Sequence, residues 1–155
     1  MKTAQLKQNK GMVDISQKDI TRRTAVACGR IRMSKEAFNA LLKGKSPKGD
    51  VLQVAKLAGI MAAKETPRII PLCHPLQLNK VSVDFKIDKR RHSIEIVSEV
   101  ICLGRTGVEM EALAAAVVSA LTVYDMMKWA DKSMTISDVC LLKKTGGKSG
   151  DYLKK

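Results

Sequence analysis

Four stretches of this 155-residue chain carry polar side chains that core packing does not call for. In Ser46-Pro47-Lys48-Gly49-Asp50 a lysine sits in a Pro/Gly loop just ahead of a helical pattern. Free N–H groups at such a junction favour an anion, although an ordinary solvated lysine fits the same string. In Leu72-Cys73-His74-Pro75-Leu76 a histidine is held in an apolar, proline-stiffened loop. It could bind a substrate or move a proton, or it could simply satisfy a backbone carbonyl. In Arg105-Thr106-Gly107-Val108-Glu109-Met110-Glu111 two carboxylates open a helix, and the helix dipole is enough to explain Glu109. Glu111 is harder to dismiss, because helical spacing puts it on one stripe with Val118, Thr122 and Asp125. The fourth stretch is Tyr124-Asp125-Met126-Met127-Lys128. Its Asp125–Lys128 pair is either a surface ion pair worth under about 1 kcal/mol or an acid/base pair in a site between subunits. Lys143, Lys144 and Lys148 could add to the same anion pocket. His92, in a basic turn, reads as solvated.

Charge narrows the partners. Lys and Arg number 28 against 15 Asp and Glu, a formal net charge of +13. Such an excess suits nucleic acid, an anionic membrane or a phosphorylated small molecule, or serves solubility alone. Cys28, Cys73, Cys102 and Cys140 are spread along the sequence with no C-x-x-C pair, so a zinc site is not expected. Cys28, Cys102 and Cys140 lie in apolar, strand-like runs and read as small core residues. No signal peptide opens the chain and no uncharged run reaches membrane-spanning length, which predicts a cytoplasmic protein with no membrane partner. There is no Walker A loop, no G-x-G-x-x-G after a strand, no G-x-S-x-G and no H-E-x-x-H.

The elements that must position these residues follow from periodicity. Residues 1–11 read as a mobile basic arm, and 12–155 as a single domain. Arg23 to Met33 is expected as a strand with Gly29 at a bulge. Ser34 should cap a short helix over Lys35 to Lys43, and Asp50 a second one running to Glu65 before Pro67 stops it. Val81, Val83, Phe85 and Ile87 alternate with polar residues, and Ile94, Ile96, Val100 and Cys102 continue as the return strand of a hairpin. Thr106 and Glu109 match a capping box. The helix behind them, to about Ala130, has Leu113, Val117, Ala120, Leu121 and Tyr124 as its core stripe. Met134 to Leu142 is the last strand, followed by a glycine-rich tail. This order, less the short extra helix, is the split β-α-β of an α+β ferredoxin-like sandwich: four antiparallel strands with helices on one face. The long helix is apolar all round, which points to burial against a second subunit.

Several strings together resemble the cyclic pyranopterin monophosphate synthase family, the C proteins of molybdenum cofactor biosynthesis. They are MVDIS (12–16), KGDV (48–51), AGI-x-AAK (58–64), IPLCHPL (70–76), TGVEMEAL (106–113), ALT-x-YDM (120–126) and GGKSGD (146–151). They occur in family order over nearly the whole chain from Met12. The resemblance implies a ferredoxin-like fold and a hexamer built as three dimers, with active sites at the dimer interface. It also implies a lyase that converts 3′,8-cyclo-7,8-dihydro-GTP to cyclic pyranopterin monophosphate and releases pyrophosphate. By family position Lys48, Asp125 and Lys128 would be catalytic. Leu72, Cys73, His74, Glu109, Met110 and Glu111 would bind substrate, and Arg23, Lys144 and Lys148 would line a basic pocket. No tightly bound cofactor is implied, and Mg²⁺ is compatible with the triphosphate. Clustered lysines would be expected to lower one another's pKa.

Two other readings remain from the residues. A basic ferredoxin-like domain could bind RNA on sheet aromatics, but Phe85 shares its strand's apolar face and reads as core, so no nucleic acid partner is expected. A nucleotide sensor would keep the basic pocket without needing Lys48, Asp125 and Lys128 together.

Overall fold

A computed structural model describes residues 11–155, so the arm expected over residues 1–11 falls almost wholly outside the described residues. The elements are β1 (Thr21–Arg32), α1 (Lys35–Leu42), α2 (Val51–Ile69), β2 (Leu78–Asp88), β3 (Ser93–Gly104), α3 (Glu109–Met127), β4 (Thr135–Thr145) and β5 (Tyr152–Leu153). The sheet runs β2-β3-β1-β4-β5, antiparallel throughout. Its first four strands have the ferredoxin-like arrangement. The two-residue β5, where only a tail was expected, adds a fifth strand by pairing with Lys143 and Lys144.

Alternation decides which sheet face is covered. Ala25, Ala27 and Ile31 on β1 and Ile94, Ile96, Val100 and Cys102 on β3 are fully buried. Ser98 sits in the same β3 row and is tolerated because its hydroxyl donates to the Ala112 carbonyl at 2.7 Å. Phe85 packs against this core, as its strand pattern predicts. Gly29 lies where the β1–β4 register shifts, between Cys28 and Arg30, which is the bulge expected of it. Ser34 and Asp50 cap α1 and α2 through the N–H groups of Ala37 and Gln53.

Three expectations are corrected. Pro67 does not stop α2, which runs to Ile69 with the proline inside its last turns. A proline there removes a single intrahelical donor, and the Thr66 hydroxyl adds a bond to the Ala62 carbonyl at 3.0 Å. Thr106 does not cap α3: the N-cap position is Val108, with no side-chain bond, and the Glu109 carboxylate lies back over Gly107. The buried face of α3 is also not the expected one. Of the predicted stripe only Ala120 is buried; Ala112, Ala115, Ala116, Ser119 and Val123 face inward, while Leu121 is half exposed. The inward face is small because α2 comes very close. A Cβ at Gly59 would lie 2.2 Å from Ser119 Oγ and 2.8 Å from the Ala115 carbonyl oxygen. Ser119 Oγ in turn donates to the Ala55 carbonyl across the interface, at 2.9 Å.

Gly59→Ala should therefore lower the urea midpoint. Overpacking two helices is expected to cost about 2 kcal/mol, outweighing the roughly 1 kcal/mol that alanine adds to an isolated helix. By length and composition α3 could cross a membrane, but half of it is buried in this fold; it is the central helix of the domain.

Candidate functional site

The polar stretches converge at the two ends of α3. At its C-terminal end the loop before α2 folds against the helix. Ser46 is buried; its hydroxyl donates to the Met126 carbonyl at 3.1 Å and accepts from the Lys48 N–H at 3.3 Å. This anchor, missed in the sequence, uses a last-turn carbonyl that the helix leaves without an intrahelical partner. It sets Lys48 beside Asp125: Lys48 Nζ lies 2.5 Å from Asp125 Oδ2, and Lys128 Nζ 2.7 Å from Oδ1. One carboxylate thus holds two ammonium groups, one on each oxygen, and all three side chains are about half exposed. The KGDV and YDMMK strings meet within a single chain.

The electrostatics differ from the expectation that the lysines lower each other's pKa. Lys128 is raised, because the Asp125 carboxylate bonds to it directly. Asp125 is lowered from 3.8 to about 2 by its bonds to Lys128 and then Lys48. A carboxyl with a depressed folded-state pKa gives its stabilisation above the unfolded value and loses it as pH falls toward 2. Asp125 is consequently an anion at every pH an enzyme normally meets, suited to orienting ammonium groups and accepting a proton only transiently.

At the other end of α3 lies an open cleft of about 1090 Å³. It is lined by Lys18, Arg23, Arg105, Lys144 and Lys148 against Asp14, Asp19 and Glu109. Arg23 is buried at the start of β1, its Nε donating to the Gly104 carbonyl at 3.2 Å. Its guanidinium lies on Gly147, where a Cβ would come within 1.4 Å of NH1, so a side chain there would displace it. Lys144 Nζ donates to Ser149 Oγ at 2.9 Å and faces Glu109 Oε1 at 3.7 Å. Two hydroxyls in the lining, Thr21 Oγ1 and Thr24 Oγ1, are buried without a hydrogen-bond partner among the described residues. A buried hydroxyl is rarely left so, and here both border a space that a ligand would fill.

The segment from Asp14 to Asp19, also missed as site residues, lines one side of this cleft. His74 Nε2–H donates to the Val13 carbonyl at 2.8 Å, and Arg105 Nε donates to the Lys18 carbonyl at 2.9 Å. The string MVDIS was the only signal that could have found it. His74 thus has the backbone-carbonyl partner weighed from the sequence, and by it holds the segment that leads into Asp14 of the cleft wall. Glu111 is almost fully buried, and its charge reaches Cys73 and Cys102. Leu72 and Met110 remain exposed.

Burial raises the Glu111 pKa, its own N–H partly offsetting this and Glu109 adding to it. The folded chain then holds that proton more tightly than the unfolded chain. Stability is full below the ordinary value of 4.5 and erodes as pH rises through the raised one. Glu111→Gln should accordingly raise the thermal midpoint at pH 7 by on the order of a few degrees. The gain should vanish below about pH 4; equal gains at both pH values would contradict the burial account.

Glu111 and Asp125 share a helix face, as spacing predicts, but fourteen residues separate them by about 21 Å. Lys144 and Lys148 therefore do not join the Asp125 cluster of their own chain; the shared pocket expected from the sequence was one between subunits. Each chain presents a Lys48–Asp125–Lys128 cluster and, a helix length away, an anion cleft.

The described residues hold no group of three or more His, Cys, Asp or Glu side chains placed for a metal. Comparison with known proteins covers both ends of α3. The MoaC family model matches residues 12–147. A cyclic pyranopterin monophosphate synthase of Heliobacterium modesticaldum is 55% identical over 143 residues, 92% of this chain and 90% of the relative. One from Pelobacter propionicus is 55% identical over 144 residues, 93% and 90% of the two chains. One from Campylobacter lari is 51% identical over 148 residues, 96% and 94%.

Proposed function

This chain belongs to the MoaC family, and from that premise we propose that it is a cyclic pyranopterin monophosphate synthase, a lyase of molybdenum cofactor biosynthesis. Its substrate would be 3′,8-cyclo-7,8-dihydro-GTP and its products cyclic pyranopterin monophosphate and pyrophosphate. The observation that carries the reading is the Lys48–Asp125–Lys128 cluster, assembled from two distant strings that the resemblance singles out.

The chemistry suits those groups. Remodelling a purine into a pterin breaks and makes ring bonds through proton transfers, and moves no net electrons. Asp125 fixes two ammonium donors at hydrogen-bonding distance, so either can protonate a leaving nitrogen and be re-oriented. At the other end Arg23, Lys144 and Lys148 supply positive charge where a triphosphate would lie and where departing pyrophosphate gains charge. Thr21 and Thr24 offer hydroxyl donors to the same phosphates. Any Mg²⁺ would arrive on the triphosphate.

Both halves must act on one molecule, yet Glu109 and Asp125 lie sixteen residues apart on α3, about 24 Å along its axis. A mononucleotide does not span that distance, so the complete site would be shared by two protomers, each giving one half. The outer helical face supports such pairing: Leu57, Met61 and Leu121 are each more than half exposed, a costly arrangement unless covered. A hexamer of three dimers follows from the family resemblance. Four free cysteines fit a reducing cytoplasm. The open sheet face favours no nucleic acid, since Lys80 and Lys86 are neutralised by Glu99 and Glu95. The test is direct: supply the cyclised GTP to purified protein and follow pyrophosphate and the pterin product. Tight binding of that substrate with no turnover would favour a sensor instead.

A further inference from the structure

We propose that Cys28 and Cys140 form a peroxide-sensitive dithiol whose disulfide pins together β1 and β4, the strand pair that leads into the anion cleft. The two residues are 112 apart in sequence, and the sheet makes them direct register partners on β1 and β4. Their sulfurs are 3.4 Å apart, so a disulfide at about 2.05 Å needs the sulfurs to close by only about 1.4 Å. Both read from the sequence as small core residues; Cys28 is buried, but Cys140 is only partly so.

The surroundings give the two thiols different roles. The Cys28 thiol is buried and donates to the Asp138 carbonyl at 3.4 Å; burial first, then Cys140, push its pKa up to about 11. Cys140 is lowered, chiefly by the Lys154 ammonium, which the pairing of β5 with β4 brings alongside. Cys140 is therefore the attacking thiolate and Cys28 the resolving thiol. The Cys140 thiolate takes one oxygen of hydrogen peroxide as the O–O bond breaks, giving a sulfenic acid and hydroxide. The hydroxide takes up the proton that Cys140 had shed. Cys28 then attacks the sulfenic sulfur; the S–S bond forms and water leaves with the Cys28 proton and the sulfenic oxygen. Two thiols are oxidised and one peroxide is reduced to two waters. The other two cysteines are poorer targets: Cys102 is fully buried, and burial and Glu111 raise Cys73.

The location gives the bond a consequence. The pair lies between two register shifts of β1 against β4, one between Val26 and Ala27 and one between Cys28 and Arg30. The first of these bulges separates Cys140 from Lys143 and Lys144, the second of which reaches the cleft. A covalent tie at Cys140 would remove the freedom of that bulged stretch.

Thiol chemistry tests this without substrate, and so separately from the catalytic reading. Reduced native protein is treated with hydrogen peroxide, alkylated and mapped by peptide mass spectrometry, with amide hydrogen exchange in parallel. A linked Cys28–Cys140 peptide, loss of two of the four thiols and full recovery with dithiothreitol are expected. The Leu141–Thr145 amides should exchange about tenfold more slowly when oxidised. Lys154→Ala should slow oxidation about threefold or more, and Cys140→Ala, at a partly exposed position, should form no intramolecular disulfide. A disulfide through Cys73, sulfinic acid on Cys140 with Cys28 still free, or unchanged exchange in β4 would overturn the proposal.

Discussion

Replacing Lys48 by alanine is expected to lower pyrophosphate release about 10³-fold, within the range usual for losing a positioned acid or base. Circular dichroism and elution volume should not change. The Lys48 side chain is half exposed and, among the described residues, its ammonium bonds only to Asp125, so little packing is lost. Asp125 keeps Lys128, the larger cause of its lowered pKa, and so stays ionised. Lys48→Arg separates two roles, because a guanidinium keeps the charge but does not release its proton. If Lys48 moves a proton, the arginine variant should be nearly as slow as alanine while binding the substrate normally. If Lys48 only holds an anion, arginine should restore much of the rate. Full activity in the alanine variant would remove this cluster from the reaction.

Mixing two inactive variants should regain activity. Lys48→Ala spoils the cluster at the C-terminal end of α3, and Lys144→Ala spoils the cleft at its N-terminal end. If each complete site draws one half from each protomer, a mixed dimer has one intact site and one doubly damaged site. Random pairing after co-expression at equal levels then gives about one quarter of wild-type activity, against near zero for either variant alone. If both halves served the same chain's site, every site would carry one lesion and the mixture would stay dead. The geometry favours recovery, since the two halves sit at opposite ends of one helix.

The sequence determined the elements and the chemical residue types. Alternation in β2 and β3, the Ser34 and Asp50 caps and the Gly29 bulge are local properties, written in neighbouring side chains. The i, i+3 pairing of Asp125 with Lys128 is local too. Whatever depended on distance through space was decided by the tertiary structure. Large apolar residues look like core in the α3 sequence, whereas Gly59 brings α2 so close that the small residues Ala115 and Ser119 face it. Lys48 reaches Asp125 because Ser46 finds a free carbonyl on a helix 80 residues away. Cys28 meets Cys140 through strand register, and Lys144 leaves the Asp125 cluster because β4 runs antiparallel to β1 and carries it to the opposite end of α3. Residue types limit the available chemistry, but only the packed helices and paired strands determine which charges share a space.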